Sequence, residues 1–214
     1  MKKLITSSLA SLFLLSTTAT AEVGVNVGVS GSMGLFGATA KEVAMETHTE
    51  TEIAALAYGS IFIEKTLGDF FTLGIEYVPT PFESETTETA KNDMEPDAQT
   101  RTTVVNKLQV DFEDLSTLYI ALNVTEDAYV RVGAASVDVI TNEVLGTGSS
   151  YGNVSLDGTV VGIGYNKDLS NGVFMRGEAN YINFDGTSLT SGDNTVTLNS
   201  LDGVTAKISI GKSF

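Results

Sequence analysis

Five charged residues sit at strand-like spacing among apolar neighbours: Glu64, Glu76, Arg131, Arg176 and Glu178. Carboxylates and guanidinium groups held in a water-poor interior must pair, because an unpaired buried charge costs several kcal/mol. The chemistry they point to is a carboxylate–guanidinium plug, either a static salt-bridge network or one whose rearrangement gates a narrow pore. Two acidic stretches form a second candidate, with Glu42, Glu46, Glu50 and Glu52 in one and Glu83, Glu85, Glu88, Asp93, Glu95 and Asp97 in the other. Oxygen clusters suit Ca²⁺ or Mg²⁺. No D-x-[DN]-x-[DN]-G spacing accompanies them, so they read as mobile solvated surface and no metal ligand is assigned. His48 is the single histidine. Nothing places a serine beside it in the fixed geometry that catalysis requires, so no catalytic residue and no cofactor are assigned.

The elements that position these groups follow from a period of two. Val23, Val25, Val27, Val29, Met33 and Leu35 share one parity, with Gly24, Asn26, Gly28, Ser30, Ser32 and Gly34 opposite. Strict alternation of this kind is a strand, and the small polar face suits a crowded barrel interior. The pattern returns around 60–64, 71–77, 130–134, 159–166, 173–181 and 204–214. From Val104 to Val124 the even positions are apolar, interrupted only by Asn106, Asp114 and Ser116. That run is read as one long strand with lipid-facing even positions and a bulge near Asp114; at 21 residues it exceeds the roughly 9 to 11 of a tilted span, so either part of it extends into solvent or a turn lies hidden near Asp114-Leu115. Along these strands the five charged residues fall on the inward parity. Gly162 and Gly164 also point inward, where large neighbours on adjacent strands need room.

Eight strands result, joined by short turns at 66–69, 125–128 and 168–172 and by long loops at about 37–52, 79–101, 141–156 and 186–201. Even strand number and alternating loop lengths are features of transmembrane barrels. The expected fold is all-β, an eight-stranded antiparallel up-and-down transmembrane barrel forming a single domain over 22–214. Both termini then lie in the periplasm and the long loops outside the cell. A soluble secreted β-sandwich is the competing fold.

Composition fits this reading. The chain has 214 residues, with 27 acidic against 12 basic side chains, a formal net charge of −15 and no cysteine. Nucleic-acid binding needs clustered Lys and Arg, and no such patch occurs. Met1-Lys2-Lys3, the apolar Leu4 to Leu15 and the Ala19-Thr20-Ala21 site form a cleavable signal peptide over 1–21. No apolar run after Glu22 approaches the ~20 residues of a membrane-spanning helix.

On these residues, and on terminal Phe214 closing an alternating strand with Ile208 and Ile210, the chain resembles the small outer-membrane β-barrels of the OmpA and OmpW type. Tyr129-Val-Arg-Val-Gly133 and Val173-Phe-Met-Arg-Gly-Glu178 also resemble acidic barrels of marine alphaproteobacteria. The resemblance implies a Gram-negative outer-membrane location, a structural or porin-like role, and an assembly signal at Ile208, Ile210 and Phe214. That signal would be read by the barrel-assembly machinery, although Lys212 departs from its usual pattern. Outer-membrane lipid is the expected partner, with Phe71, Tyr77, Tyr165 and Tyr181 as its aromatic girdle. A second role within the same fold is surface recognition or adhesion, with loop 79–101 presented to a partner.

Overall fold

The computed structural model describes residues 24–43, 47–93, 100–146, 148, 150–191 and 194–214. The expected signal peptide over 1–21 lies outside them. Ten strands follow in order: β1 (Val25–Val43), β2 (Thr47–Leu67), β3 (Phe71–Tyr77), β4 (Phe82–Glu83), β5 (Thr87–Asp93), β6 (Thr102–Asn123), β7 (Ala128–Leu145), β8 (Val154–Asp168), β9 (Val173–Ser191) and β10 (Asn194–Ser213). Among the described residues there is no helix.

Eight of these strands close a ring, with β1 pairing β2 and β10, and β3 pairing β6 to complete the circuit. All the pairings are antiparallel, and the circuit closes on itself as one sheet rather than two facing ones, which excludes the sandwich alternative. The short β4 and β5 also pair with β6, beyond the end of β3, and continue its line up the wall. Following Cα partners from Val25 through Lys65, Leu73, Ile120, Val132, Val161, Tyr181 and Val204 returns to β1 at Leu35, ten residues further along. With about 3.3 Å per residue and about 4.8 Å between strands, a stagger of ten over eight strands sets a tilt of about 40°. The outward apolar stretch from Val25 to Leu35 then stands about 25 Å tall, the height of an outer-membrane hydrocarbon band.

The strands run well past that band. The loops expected at 37–52 and 186–201 are mostly strand and that at 141–156 is half strand, since β1 continues to Val43, β2 starts at Thr47, β7 reaches Leu145, β8 starts at Val154 and β9 and β10 meet at Ser191 and Asn194. Within 79–101, β4 and β5 are ordered against β6. Cross-strand Thr pairs help carry the upper hairpins, including Thr39 with Thr51 at 3.1 Å and Thr190 with Thr195 at 3.2 Å. Such pairs do not stand out as hydrophobic alternation, which is why these segments read as loops.

The bulge near Asp114 is present and corrects the reading of β6. Glu113 pairs with Asp138 and Ser116 with Ser136, so Asp114 and Leu115 together face Val137. Asp114 takes the left-handed conformation, φ 53°. One extra residue reverses the sense of the alternation. Below the bulge the even residues Leu118, Ile120 and Leu122 are exposed toward lipid. Above it the even Phe112 packs on the interior core instead. The expected lipid-facing even set therefore holds for only the lower part of the strand.

The interior has two layers. In the lower one the buried residues are mainly polar, including Asn26, Ser30, Ser60, Glu64, Glu76, Arg131, Glu178 and Lys207. In the upper one Phe36, Val137, Leu156, Phe184 and Leu201 form an apolar core with Val78 and Leu115. Inward glycines make room for the large rings. A Cβ on Gly164 would fall 2.1 Å from the Tyr129 ring, on Gly74 2.4 Å from Tyr119, on Gly28 2.4 Å from Phe62 and on Gly211 2.3 Å from Phe174. In each case the glycine is the direct cross-strand partner of the aromatic. The expectation for Gly164 thus extends around the ring.

Candidate functional site: the charge-filled lumen

Inward parity brings Glu64 and Glu76 from β2 and β3, Arg131 from β7 and Arg176 and Glu178 from β9 into the lower lumen. The structure joins all five and adds Lys207 from β10. Arg131 spans the lumen, with one guanidinium nitrogen 2.8 Å from Glu76 and the other 3.2 Å from Glu178. Lys207 bridges the same two carboxylates from the opposite wall, 2.9 Å from Glu76 and in contact with Glu178. Glu76, Arg131, Glu178 and Lys207 therefore form a closed ring of alternating charge across the barrel. Ser60 donates to Glu76 at 2.7 Å, using its remaining oxygen.

Nearer the short-turn end lies a second assembly. Arg176 forms a two-pronged pair with Glu64, at 2.5 and 3.0 Å. Tyr119 donates to Glu64 at 2.6 Å and Asn26 at 3.1 Å, so Glu64 accepts four hydrogen bonds. The Arg176 guanidinium is surrounded by the rings of Phe62, Tyr129 and Phe174 at 5.1–5.5 Å, a distance at which ring faces attract a cation. Tyr119 couples the two assemblies, because its ring also lies 3.9 Å from the Arg131 guanidinium.

Three carboxylates and three cations leave the lumen neutral, with every charge paired. This satisfies the condition under which buried ions persist. It also fills the space. Between the charged ring and the apolar layer the structure leaves a cavity of about 20 Å³, bordered by Tyr58, Arg131, Asn180 and Lys207, which is room for about one water.

Sequence reasoning missed Lys207, Tyr119, Asn26 and Ser60. A signal for Lys207 was present: three glutamates and two arginines leave one negative charge over, and Lys207 stands on the inward parity of the last strand. Tyr119 carried no comparable mark, since an inward tyrosine fits equally well as filler.

The remaining sequence candidates lie elsewhere. Phe71, Tyr77, Tyr165 and Tyr181 point outward and are exposed. Tyr77 donates to Asp114 at 2.9 Å and Tyr181 to Asp202 at 2.6 Å, where the outward face turns polar, while Tyr165 donates to Asp127 at the opposite end. Ile208, Ile210 and Phe214 are outward and exposed on β10 and its end. Lys212 donates to the carbonyl of Asn171 at 2.5 Å and lies over the Phe214 ring. His48 is in β2, paired with Glu42 in the upper hairpin. Glu46, Glu95 and Asp97 lie outside the described residues, and among the described residues no group of His, Asp and Glu is arranged to hold a metal ion.

The upper wall is interrupted between β7 and β9, where β8 ends its pairing at Val139 and Phe184, and, lower down beside the apolar core, next to β2. β2 pairs with β3 only from Ile61 to Leu67, and the ladder ends where Pro79 and Pro81 follow Tyr77. Proline has no N–H to offer. Val78 bonds instead to Leu115 of β6, and β4 and β5 also pair with β6 rather than with β2. From Thr47 to Ser60, β2 has a strand partner only in β1, which leaves a seam beside the apolar layer.

No protein-family description and no curated protein matches the chain. Solved structures do. The outer membrane protein OprG from Pseudomonas aeruginosa is similar over 91% of this chain and 97% of its own, at 13% identity and a TM-score of 0.55. The outer membrane protein AlkL, determined in lipid bilayers, is similar over 93% of both chains, at 13% identity and a TM-score of 0.53. The all-β ring, its height and these likenesses agree on the fold, an outer-membrane type of β-barrel.

Proposed function

We propose that this chain is a porin-like barrel of the Gram-negative outer membrane that passes small apolar molecules sideways through its wall. The observation that carries this reading is the seam between β2 and β4. It opens beside the apolar upper layer and above a lumen blocked by paired charges. An apolar molecule entering from the long-hairpin end meets apolar side chains, is stopped by the charged ring, and has an exit at the lower end of the seam, just above Ile61 and Tyr77, where backbone pairing is missing at the outer edge of the lipid band. In this orientation both termini are periplasmic and Phe71 and Tyr165 sit at the inner headgroups. Phe214, with Ile208 and Ile210, serves as the assembly signal read by the barrel-assembly machinery. No catalytic step belongs to this reading.

Uptake of ethylbenzene and ethylcyclohexane by Gram-negative cells expressing the protein tests it. Both should enter faster than in cells without it. The double variant Pro79→Val, Pro81→Thr restores backbone donors along the seam and should return uptake toward the background rate. The purified barrel should leave a planar bilayer closed to ions. Uptake no faster than background, or stepwise ion conductance through the unmodified protein, would overturn the reading.

A surface-recognition role through 79–101 is favoured by a different observation, the height of the upper barrel. The twelve residues of β6 from Thr102 to Glu113 rise about 30 Å beyond the band at the tilt above. Binding to host or neighbouring cells that disappears on deleting Ser84–Arg101, with hydrocarbon uptake at background, would select it.

A further inference from the structure

Among the described residues no strand pairing joins β2 to β4 across the seam, but aromatic rings bridge it. Tyr58 on β2 stacks on Phe82 of β4 with centroids 5.3 Å apart and planes 19° from parallel. Phe82 stacks in turn on Phe112 of β6 at 5.1 Å and 14°. The three rings form a ladder from one bank of the gap to the other, partly buried against the apolar core.

The rungs are unequally anchored. Tyr58 belongs to the 21-residue β2 and Phe112 to the 22-residue β6, where it is paired with Val139 of β7 on its other side. Phe82 belongs to a two-residue strand held to the sheet by two Cα pairs and by the bonds between Ser84 and Val110, with Pro81 before it and no strand at 84–86 after it. Of the three, the middle ring is the one that can leave at least cost to the sheet. Its departure would leave two near-parallel aromatic faces separated by the thickness of one ring.

We propose that Phe82 is a displaceable latch, and that the slot it vacates between Tyr58 and Phe112 binds a neutral, single-ring aromatic molecule. The proposal rests on the sideways route above and names the class of molecule that route prefers. Flat faces on both sides favour an offset-stacked aromatic over a puckered saturated ring of equal size. Exposed Glu83 and Glu85 on the same segment repel aromatic carboxylates. The apolar floor formed by Val78 and Leu115 disfavours cations, which would lose their hydration there.

The test is NMR of the full chain in lipid nanodiscs, with labelled Tyr and Phe rings and with ethylbenzene and ethylcyclohexane as probes. Ethylbenzene should shift the Tyr58 and Phe112 ring signals saturably, and ethylcyclohexane should shift them several-fold less at equal concentration. If the latch is open about a tenth of the time, Phe82→Ala should tighten ethylbenzene binding by roughly tenfold. The wild-type comparison of the two probes needs no variant, so it holds even if Phe82→Ala folds poorly. Equal shifts from both probes, or unchanged binding in a folded Phe82→Ala barrel, would overturn the latch. Uptake that is equal for the two hydrocarbons and still blocked by the proline replacements would sink the latch while leaving the sideways route standing. Uptake at background for both would remove the route itself.

Discussion

Below the level of Asp114 this barrel is polar inside and apolar outside, and above it the arrangement inverts. The lower wall turns Val29, Ile61, Ile120, Val132, Ile163 and Ile210 outward around a lumen of paired ions. The upper wall turns Phe36, Phe112, Val139, Phe184 and Leu201 inward, with Gln109, Asp111 and Asn142 on the other parity. The same alternation of period two serves both, because the surroundings change from hydrocarbon to water as the strands leave the bilayer. Apolar residues face the lipid in one half and the core in the other. The boundary is written into β6 as one additional residue, which keeps its apolar positions even in number while reversing the face on which they appear.

Deleting Asp114 should do the most damage to this contrast. Without the bulge, Phe112 and Val110 turn to water and Asp111 and Glu113 turn inward, and each large apolar side chain loses about 1.5–3 kcal/mol of burial. The lower barrel should still migrate as a heat-modifiable folded band, while added protease cuts the upper hairpins that it spares in the unaltered protein. Arg131→Ala attacks the lower half instead. It leaves Glu76 and Glu178 with Lys207 alone, and breaking a buried pair by removing one partner costs about 3–5 kcal/mol. Urea unfolding in lipid vesicles should report a loss of that size, with ion conductance as a second readout of whether the plug has opened. Gly164→Ala should cost about 1–3 kcal/mol by forcing a methyl against Tyr129. The outward Gly31→Ala, which meets nothing within 4 Å, should leave stability within about 0.5 kcal/mol of the parent.

Much of the lower half was legible in the sequence. Val, Ile and Leu at alternate positions opposite Gly, Ser and Asn identified the strands, and five of the six lumen charges were singled out on the face where they stand. The upper half was harder to read, for a physical reason. Its hairpins are held by Thr, Ser and Asn facing water, a pattern that resembles a polar loop. A switch of parity was nonetheless visible in β7, where Val130, Val132 and Ala134 give way to Val137 and Val139. In β6 the bulge hides that switch by keeping the apolar parity constant. The seam was legible only as Pro79 and Pro81, and nothing in the sequence alone indicates which neighbour the chain abandons there. The ring ladder of Tyr58, Phe82 and Phe112 joins three strands far apart in the chain, so no local pattern announces it.

The inversion along β6 can be measured directly, since the chain has no cysteine and single-cysteine variants carry no background. Cysteines placed one at a time from Val104 to Leu122 in bilayer-embedded protein would be spin-labelled and probed with oxygen, which concentrates in lipid, and with a polar nickel chelate. Labels at 118, 120 and 122 should respond to oxygen, labels at 109, 111 and 113 to the chelate, and labels at 110 and 112 to neither. Oxygen access at every even position from 104 to 122 would contradict the inversion and return β6 to a strand that faces lipid on one side throughout.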